Sequence, residues 1–130
     1  PSRIKKIFLN LFAILLLRIH PKKSVQWYQK KYISGTLKAP AKISDIIFCN
    51  DLQLLPFAID IKRSHPRKKI IFDCRELYSE QDGNRLIFKL FEKPIRQYIE
   101  GTCLRKVDLC LTVSQSIADH YKKHLGIDMQ

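Results

Sequence analysis

The chain has 130 residues, of which 45% are hydrophobic and 28% are charged. This length and this balance are those of one globular domain, and they exclude a disordered tail or a collagen-like repeat. Lysine and arginine number 24 against 12 acidic residues, which gives a formal net charge of +12. A positive excess of this size raises the question of an anionic partner, either a membrane surface or a nucleic acid.

The positive charge is concentrated in the first 42 residues. That segment holds ten lysines and arginines and no acidic residue, whereas residues 43–130 are close to balanced, with 14 basic and 12 acidic residues. We therefore divide the chain into a basic helical segment, residues 1–42, which belongs to the domain, and an α/β core, residues 43–130. Five cations of the basic segment are predicted to face an anionic membrane surface: Arg18, Lys22, Lys23, Lys30 and Lys31.

Two helices are predicted in the basic segment. Residues 3–19 are apolar almost all round, and Pro21 should end this helix. Its apolar run is too short for a bilayer span, which needs about 20 residues, so the helix either packs into the protein or lies in a membrane interface. Ser24 is placed to cap a second helix that extends to about residue 37.

From residue 45 onward, short apolar runs alternate with helical patterns. The runs at residues 45–49, 69–73 and 108–113 are typical of parallel strands buried on both faces. The alternation predicts an α/β fold, with an open parallel sheet of three visible strands and helices on both faces. Doubly wound sheets usually have more strands, so either the first strands lie upstream of this chain or the sheet is unusually small, and we favour the first.

The helices between and after these strands have recognisable ends. The first should cover residues 52–65, with Pro56 in its first turn, where the missing N–H is harmless. The second should cover residues 84–106, with a break near Pro94, and the third residues 115–125, ending at Gly126.

Polar residues follow all three strands, and parallel strands deliver their carboxyl ends to one edge of a sheet, where ligands bind in such folds. The sequence therefore predicts a site at that edge, formed by Asn50, Asp51, Asp73, Arg75, Glu76 and Ser114. Simpler roles are open to the same residues. Asp51 and Ser114 stand where helix N-caps belong, and Arg75 with Glu76 could form an ordinary loop ion pair.

Other patterns point away from cofactor and metal chemistry. The four glycines are too scattered for a phosphate-binding loop, so no cofactor is expected. His120 and His124 are four residues apart on a helix but lack an evident third ligand, which favours a solvated face over a metal site. The four cysteines lie in or beside apolar runs, as reduced core thiols do. Cys74, next to Arg75, is the one thiol whose pKa could be lowered, but it too is interpreted as a small packing residue.

Three motifs resemble the N-terminal domain of family-four glycosyltransferases with the GT-B fold, in which two Rossmann-like domains face each other across a cleft. They are residues 46–51, 72–80 and 107–114, with Glu92 preceding the third, and the resemblance spans residues 45–127. It implies the acceptor side of an enzyme that moves a sugar from a nucleotide-sugar donor to an envelope polysaccharide or lipid-linked acceptor. The glycine-rich first strand and the donor-binding domain are missing, so this piece alone should be inactive.

The resemblance also sets expectations for ligand and location. The family commonly has histidine where this chain has Arg75, and a guanidinium favours a more anionic ligand. The enzyme would be cytoplasmic and peripheral at the inner face of the membrane. The alternatives are a non-catalytic basic module that binds nucleic acid or another anionic partner, and a receiver-type partner module. Against a nucleic-acid module, no strand that could present bases to aromatic side chains follows Trp27 in the sequence. Against a receiver-type module, such a fold needs clustered acidic residues at the strand ends, and Arg75 stands among them here.

Overall fold

The computed structural model describes residues 11–12, 15–32, 44–81, 85–86 and 88–130. Within the predicted helix 3–19, residues 11–12 and 15–19 are helical, and the other positions lie outside the described residues. Helix α1 is Pro21–Tyr32. The remainder of the basic segment, residues 33–42, and the side chain of Lys31 also lie outside the described part of the chain.

Helix α1 begins at Pro21, four residues before the start that a Ser24 cap implies, so the prediction that Ser24 caps it is wrong. The carbonyl of His20 accepts hydrogen bonds from the amides of Lys23, at 3.0 Å, and Ser24, at 3.2 Å. Proline suits the first helical position because its missing N–H would have no partner there. Ser24 is instead fully buried inside the helix.

Three parallel strands form one sheet in the order β1-β2-β3. Strand β1 is Ile46–Cys49, β2 is Lys69–Cys74 and β3 is Leu109–Thr112. The register pairs Phe48 with Ile71 and Phe72 with Cys110. The structure thus confirms an α/β fold with an open parallel sheet built from the three predicted apolar runs.

The connecting helices follow the predicted pattern closely. A 3-10 turn, Leu52–Leu54, leads into α2, Leu55–Ser64, which has Pro56 in its first turn. The long second helix is divided as expected near Pro94: a π-helical turn, Phe88–Glu92, precedes α3, Lys93–Cys103, and a 3-10 turn, Leu104–Lys106, follows it. Helix α4 is Gln115–Leu125 and ends at Gly126, whose φ of 66° is the left-handed conformation that glycine adopts most easily.

The core lies between one face of the sheet and the described helices. Ile70 and Phe72 of β2 are fully buried there, together with Leu55 of α2 and Ile99 of α3. Right-handed crossovers in the order β1-β2-β3 place both connecting helices on the same face of the sheet. On the opposite face, Ile46 is 54% and Phe48 is 58% exposed. The sequence predicted helices on both faces of the sheet. Within the described part of the chain, the helices lie on one face.

Backbone bonds extend the sheet beyond β3. The Gln130 amide donates to the Cys110 carbonyl at 2.9 Å, and the Thr112 amide donates to the Gln130 carbonyl at 2.8 Å. This is the parallel pairing pattern, with Gln130 opposite Leu111. At the other end of β3, Asp108 accepts a hydrogen bond from the Ile70 amide at 2.8 Å, which fixes the register of β3 against β2.

Candidate functional site

The carboxyl ends of the three strands share one edge of the sheet because all three strands are parallel. Asn50 follows β1, Arg75 follows β2, and Ser114 comes two residues after the end of β3. The topology therefore brings the three predicted strand exits to the same side of the molecule. We call the set Asn50, Asp51, Asp73, Arg75, Glu76 and Ser114 the carboxyl edge.

An ion pair marks the exit of β2. Arg75 donates from Nε to Oδ2 of Asp73 at 2.9 Å. This hydrogen bond raises the pKa of Arg75, so the guanidinium stays charged. The Arg75 side chain is 59% exposed and that of Asp73 is 18% exposed, so the carboxylate supports a cation that solvent and ligands can reach. A guanidinium held through Nε keeps its two terminal nitrogens for a carboxylate or phosphate.

A tyrosine connects the exits of β1 and β2. The Tyr78 hydroxyl donates to the Asn50 carbonyl at 3.0 Å, and its burial raises the pKa of Tyr78 above the usual range. The neighbouring Asp51 occupies the N-cap position of the 3-10 turn, but its side chain makes no capping hydrogen bond. The capping role considered for Asp51 is therefore wrong, because the turn is closed by its backbone carbonyl, which accepts from the Leu54 amide at 3.1 Å.

Ser114 and Glu76 each have a local partner. Ser114 caps α4 as predicted, since its Oγ accepts from the Ile117 amide at 3.4 Å, and it also lies 3.1 Å from the Ser116 hydroxyl. Glu76 accepts a hydrogen bond from the Gln81 side chain. The predicted ligand-binding role of these residues stays a prediction beside these structural contacts.

Sequence reasoning missed a buried arginine close to this edge. Arg96 of α3 is 9% exposed. It donates from Nε to the Tyr28 hydroxyl at 2.8 Å and from Nη1 to the Tyr78 carbonyl at 2.9 Å and to Gln81 Oε1 at 2.6 Å. Its guanidinium lies 5.0 Å from the centre of the Phe88 ring. Arg96 thus joins α1, α3 and the loop after β2.

A buried carboxyl lies one turn further along α3. Glu100 accepts from the Tyr121 hydroxyl at 2.7 Å and from the Ser79 amide at 3.2 Å. Burial raises the pKa of Glu100, although both hydrogen bonds oppose that change. The signal in the sequence was the spacing Glu92, Arg96, Glu100, which places three charges on one side of a helix that also buries Ile95 and Ile99.

Glu100 also lines an open cavity of about 310 Å³ with the two histidines of α4. The rings of His120 and His124 stack with their centres 4.2 Å apart. Burial, together with the neighbouring His124, lowers the pKa of His120. Among the described residues, no group of three or more histidine, cysteine or acidic side chains is placed to hold a metal ion.

All four cysteines are buried free thiols, which confirms their prediction as core residues. Burial raises the pKa of Cys49, Cys74 and Cys110 to about 11. Cys74 is therefore a packing residue, as predicted, and Arg75 does not lower its pKa. The Cys74 thiol is fully buried and donates to the Glu76 carbonyl at 3.4 Å, whereas the Arg75 side chain is exposed and pairs with Asp73.

Four of the predicted membrane-facing cations can be placed: Arg18, Lys22, Lys23 and Lys30 are all exposed. No helix in the described ranges is long and apolar enough to cross a bilayer.

Comparisons of the chain with models of protein families, with curated proteins and with solved structures gave no match.

Proposed function

We propose that this chain is the acceptor-side part of a glycosyltransferase, which transfers a sugar from a nucleotide-sugar donor to a lipid-linked or envelope polysaccharide acceptor. The donor would be held by a second domain facing the carboxyl edge. The observation that carries the proposal is the Arg75–Asp73 pair at the exit of the central strand. It places a fixed and accessible cation where ligands bind in open parallel sheets.

The chemistry of Arg75 favours an anionic acceptor. A guanidinium pairs well with phosphate or carboxylate because it offers two parallel N–H donors. Acceptors built on a lipid diphosphate or on an acidic polysaccharide carry such groups. Asn50, Asp51 and Glu76 at the same edge offer the amide and carboxylate groups that bind sugar hydroxyls. A cation flanked by side chains that bind hydroxyl groups suits a charged sugar better than it suits an anion without hydroxyl groups, such as inorganic phosphate.

Binding is tested by titrating the isotopically labelled chain with a water-soluble prenyl diphosphate sugar and following its backbone amide resonances. We expect shifts at Asn50, Arg75 and Glu76, and binding at least tenfold weaker in Arg75→Gln. Arg67→Gln is the matched control, because Arg67 is an exposed arginine just before β2, at the opposite edge of the sheet. Unchanged binding in Arg75→Gln, or shifts confined to other surfaces, would count against the proposal.

Transfer itself is tested in the full-length protein with radiolabelled nucleotide sugars and the same acceptor. Label should move to the acceptor with the wild-type protein, and more slowly with Arg75→Gln. The competing proposal of a nucleic-acid module predicts instead that the chain retains short oligonucleotides on a filter and transfers no sugar. Retention without transfer would favour that module.

A further inference from the structure

A helical stripe near the start of the described chain exposes large apolar side chains. Leu11, Phe12, Leu15 and Ile19 are between 53% and 61% exposed. Residues 11–12 and 15–19 are helical, and on the helix predicted over residues 3–19 this spacing places the four side chains along one side. On the other side, Leu17 is partly buried and packs against the core. The helix therefore uses one apolar side for the protein and leaves a second apolar side in contact with solvent.

Exposed cations accompany this stripe. Arg18 lies between Leu15 and Ile19 in the sequence, and Lys22 and Lys23 follow in the first turn of α1. Lys30 lies two turns further on, and all four are exposed. The first acidic residue of the chain is Asp45, so this segment has no carboxylate of its own to neutralise these cations. We call these eight residues the N-terminal stripe.

We propose that the N-terminal stripe binds the surface of a bilayer that contains anionic lipids. The four apolar side chains would enter the boundary between headgroups and acyl chains, and the cations would lie among the lipid phosphates. Exposed apolar side chains flanked by lysine and arginine are the pattern of helices that lie in a membrane interface. The apolar run of the sequence, residues 7–17, is shorter than the roughly 20 residues that a bilayer span needs, which favours binding in the plane of the surface.

The composition of the surface distinguishes a bilayer from a protein partner. A protein interface is usually depleted of lysine at its centre, whereas three of the four cations here are lysines. Phosphates of an anionic bilayer satisfy several cations at once without a fixed pairing geometry. The inference is independent of sugar transfer, since vesicle binding is measured without donor or acceptor.

The test is co-sedimentation of the whole chain with vesicles of phosphatidylcholine alone or with one third phosphatidylglycerol. We expect stronger binding to the anionic vesicles, and weaker binding as the salt concentration rises. Replacing Lys22 and Lys23 by glutamine should weaken binding about 25-fold, at about fivefold for each cation. The matched control replaces Arg67 and Lys123, which are exposed elsewhere, and should bind like the wild type.

The apolar part is tested by Phe12→Ser with Leu15→Ser, against Phe48→Ser, a phenylalanine of similar exposure on the sheet. The double variant should lose at least tenfold in vesicle affinity and Phe48→Ser should lose none. Far-ultraviolet circular dichroism establishes that each variant is folded. Equal binding to neutral and anionic vesicles, or wild-type binding by the double variant, would overturn the proposal.

A second reporter separates insertion from adsorption. Trp27 is the single tryptophan of the chain. Phe12→Trp in a Trp27→Phe background therefore reports on the N-terminal stripe alone. Its emission should shift to shorter wavelength on anionic vesicles. An unchanged emission wavelength would show that the stripe stays in solvent. If the wild type forms dimers that the Phe12 and Leu15 substitutions dissociate, the stripe binds protein. Either result would refute membrane insertion.

Discussion

Asp108→Asn should destabilise the protein in a way that depends on pH. Asp108 stands just before β3 and accepts hydrogen bonds from the Ile70 amide, at 2.8 Å, and from Lys69, at 3.1 Å. It also pairs with Lys62 of α2. The carboxylate thus links the amino ends of β2 and β3 to a helix. Asparagine retains one acceptor oxygen in this position but removes the negative charge.

The size of the effect follows from the pKa of Asp108. Desolvation raises this pKa, but the hydrogen bonds from Lys62, Ile70 and Lys69 outweigh it and lower the pKa from 3.8 to about 2. A lowering of that size corresponds to about 2.5 kcal/mol of preference for the charged form. Because Lys69 is solvated and Asp108 is partly exposed, screening reduces the expected contribution to about 1 kcal/mol.

The sign of the pH dependence is fixed by the direction of the pKa change. A carboxyl group with a lowered pKa in the folded state stabilises the protein above the unfolded pKa, and this stability is lost as the pH falls through the folded pKa. Wild type and Asp108→Asn should therefore differ by about 1 kcal/mol at neutral pH, and this difference should shrink between about pH 4 and pH 2.

The measurement is urea unfolding followed by the fluorescence of Trp27, which packs partly buried against the core. Asp119→Asn is the control, because Asp119 lies on the exposed face of α4, where it accepts a hydrogen bond from Gln115. The control should change stability little at any pH. A loss in Asp108→Asn that is undiminished at pH 2, or no loss at neutral pH, would refute the reasoning.

Three further predictions concern the core and the helix ends. Gly126→Ala should lower the free energy of unfolding by about 1 kcal/mol, because alanine is strained at a positive φ; urea unfolding measures this. The four buried thiols should react with a disulfide reagent at the rate of unfolding, and fast reaction of Cys74 in the native protein would contradict its burial. Arg96→Met should cost about 3 kcal/mol, whereas Arg105→Met, on the surface, should cost far less.

The strands and several helix ends of the α/β core were predictable because they depend on local chemistry, whereas the start of α1 was not. The apolar runs at residues 45–49, 69–73 and 108–113 became the three strands within about one residue. Pro56 and Gly126 stand at helix ends for reasons of backbone geometry alone. The exposure of Ile46 and Phe48 was not predictable in the same way, because a continuous apolar run does not reveal which strand faces are covered by helices from elsewhere in the chain.

In the candidate site too, the features that depend on local sequence were predictable and those that depend on distant contacts were not. The sequence predicted that the exits of the parallel strands share one edge, and the topology confirms that; the site formed by their side chains stays a prediction. It did not reveal that Asp51 makes no capping bond, because whether the side chain or the backbone closes a turn depends on the turn geometry. Nor did it reveal the burial of Arg96 and Glu100. Charged residues on a helix are usually solvated, and their burial here depends on partners far away in sequence, Tyr28 and Tyr121.

The contacts of Arg96 relate the N-terminal stripe to the carboxyl edge. Tyr28, which bonds to Arg96, belongs to the helix that carries Lys22, Lys23 and Lys30. Tyr78 and Gln81, which also bond to Arg96, belong to the loop that leaves β2, and Gln81 donates to Glu76 of the carboxyl edge. Separating α1 from this loop would leave a buried guanidinium without its partners, at a cost of about 3 kcal/mol or more. If the stripe binds a bilayer as proposed, these contacts would couple its position to that of the carboxyl edge.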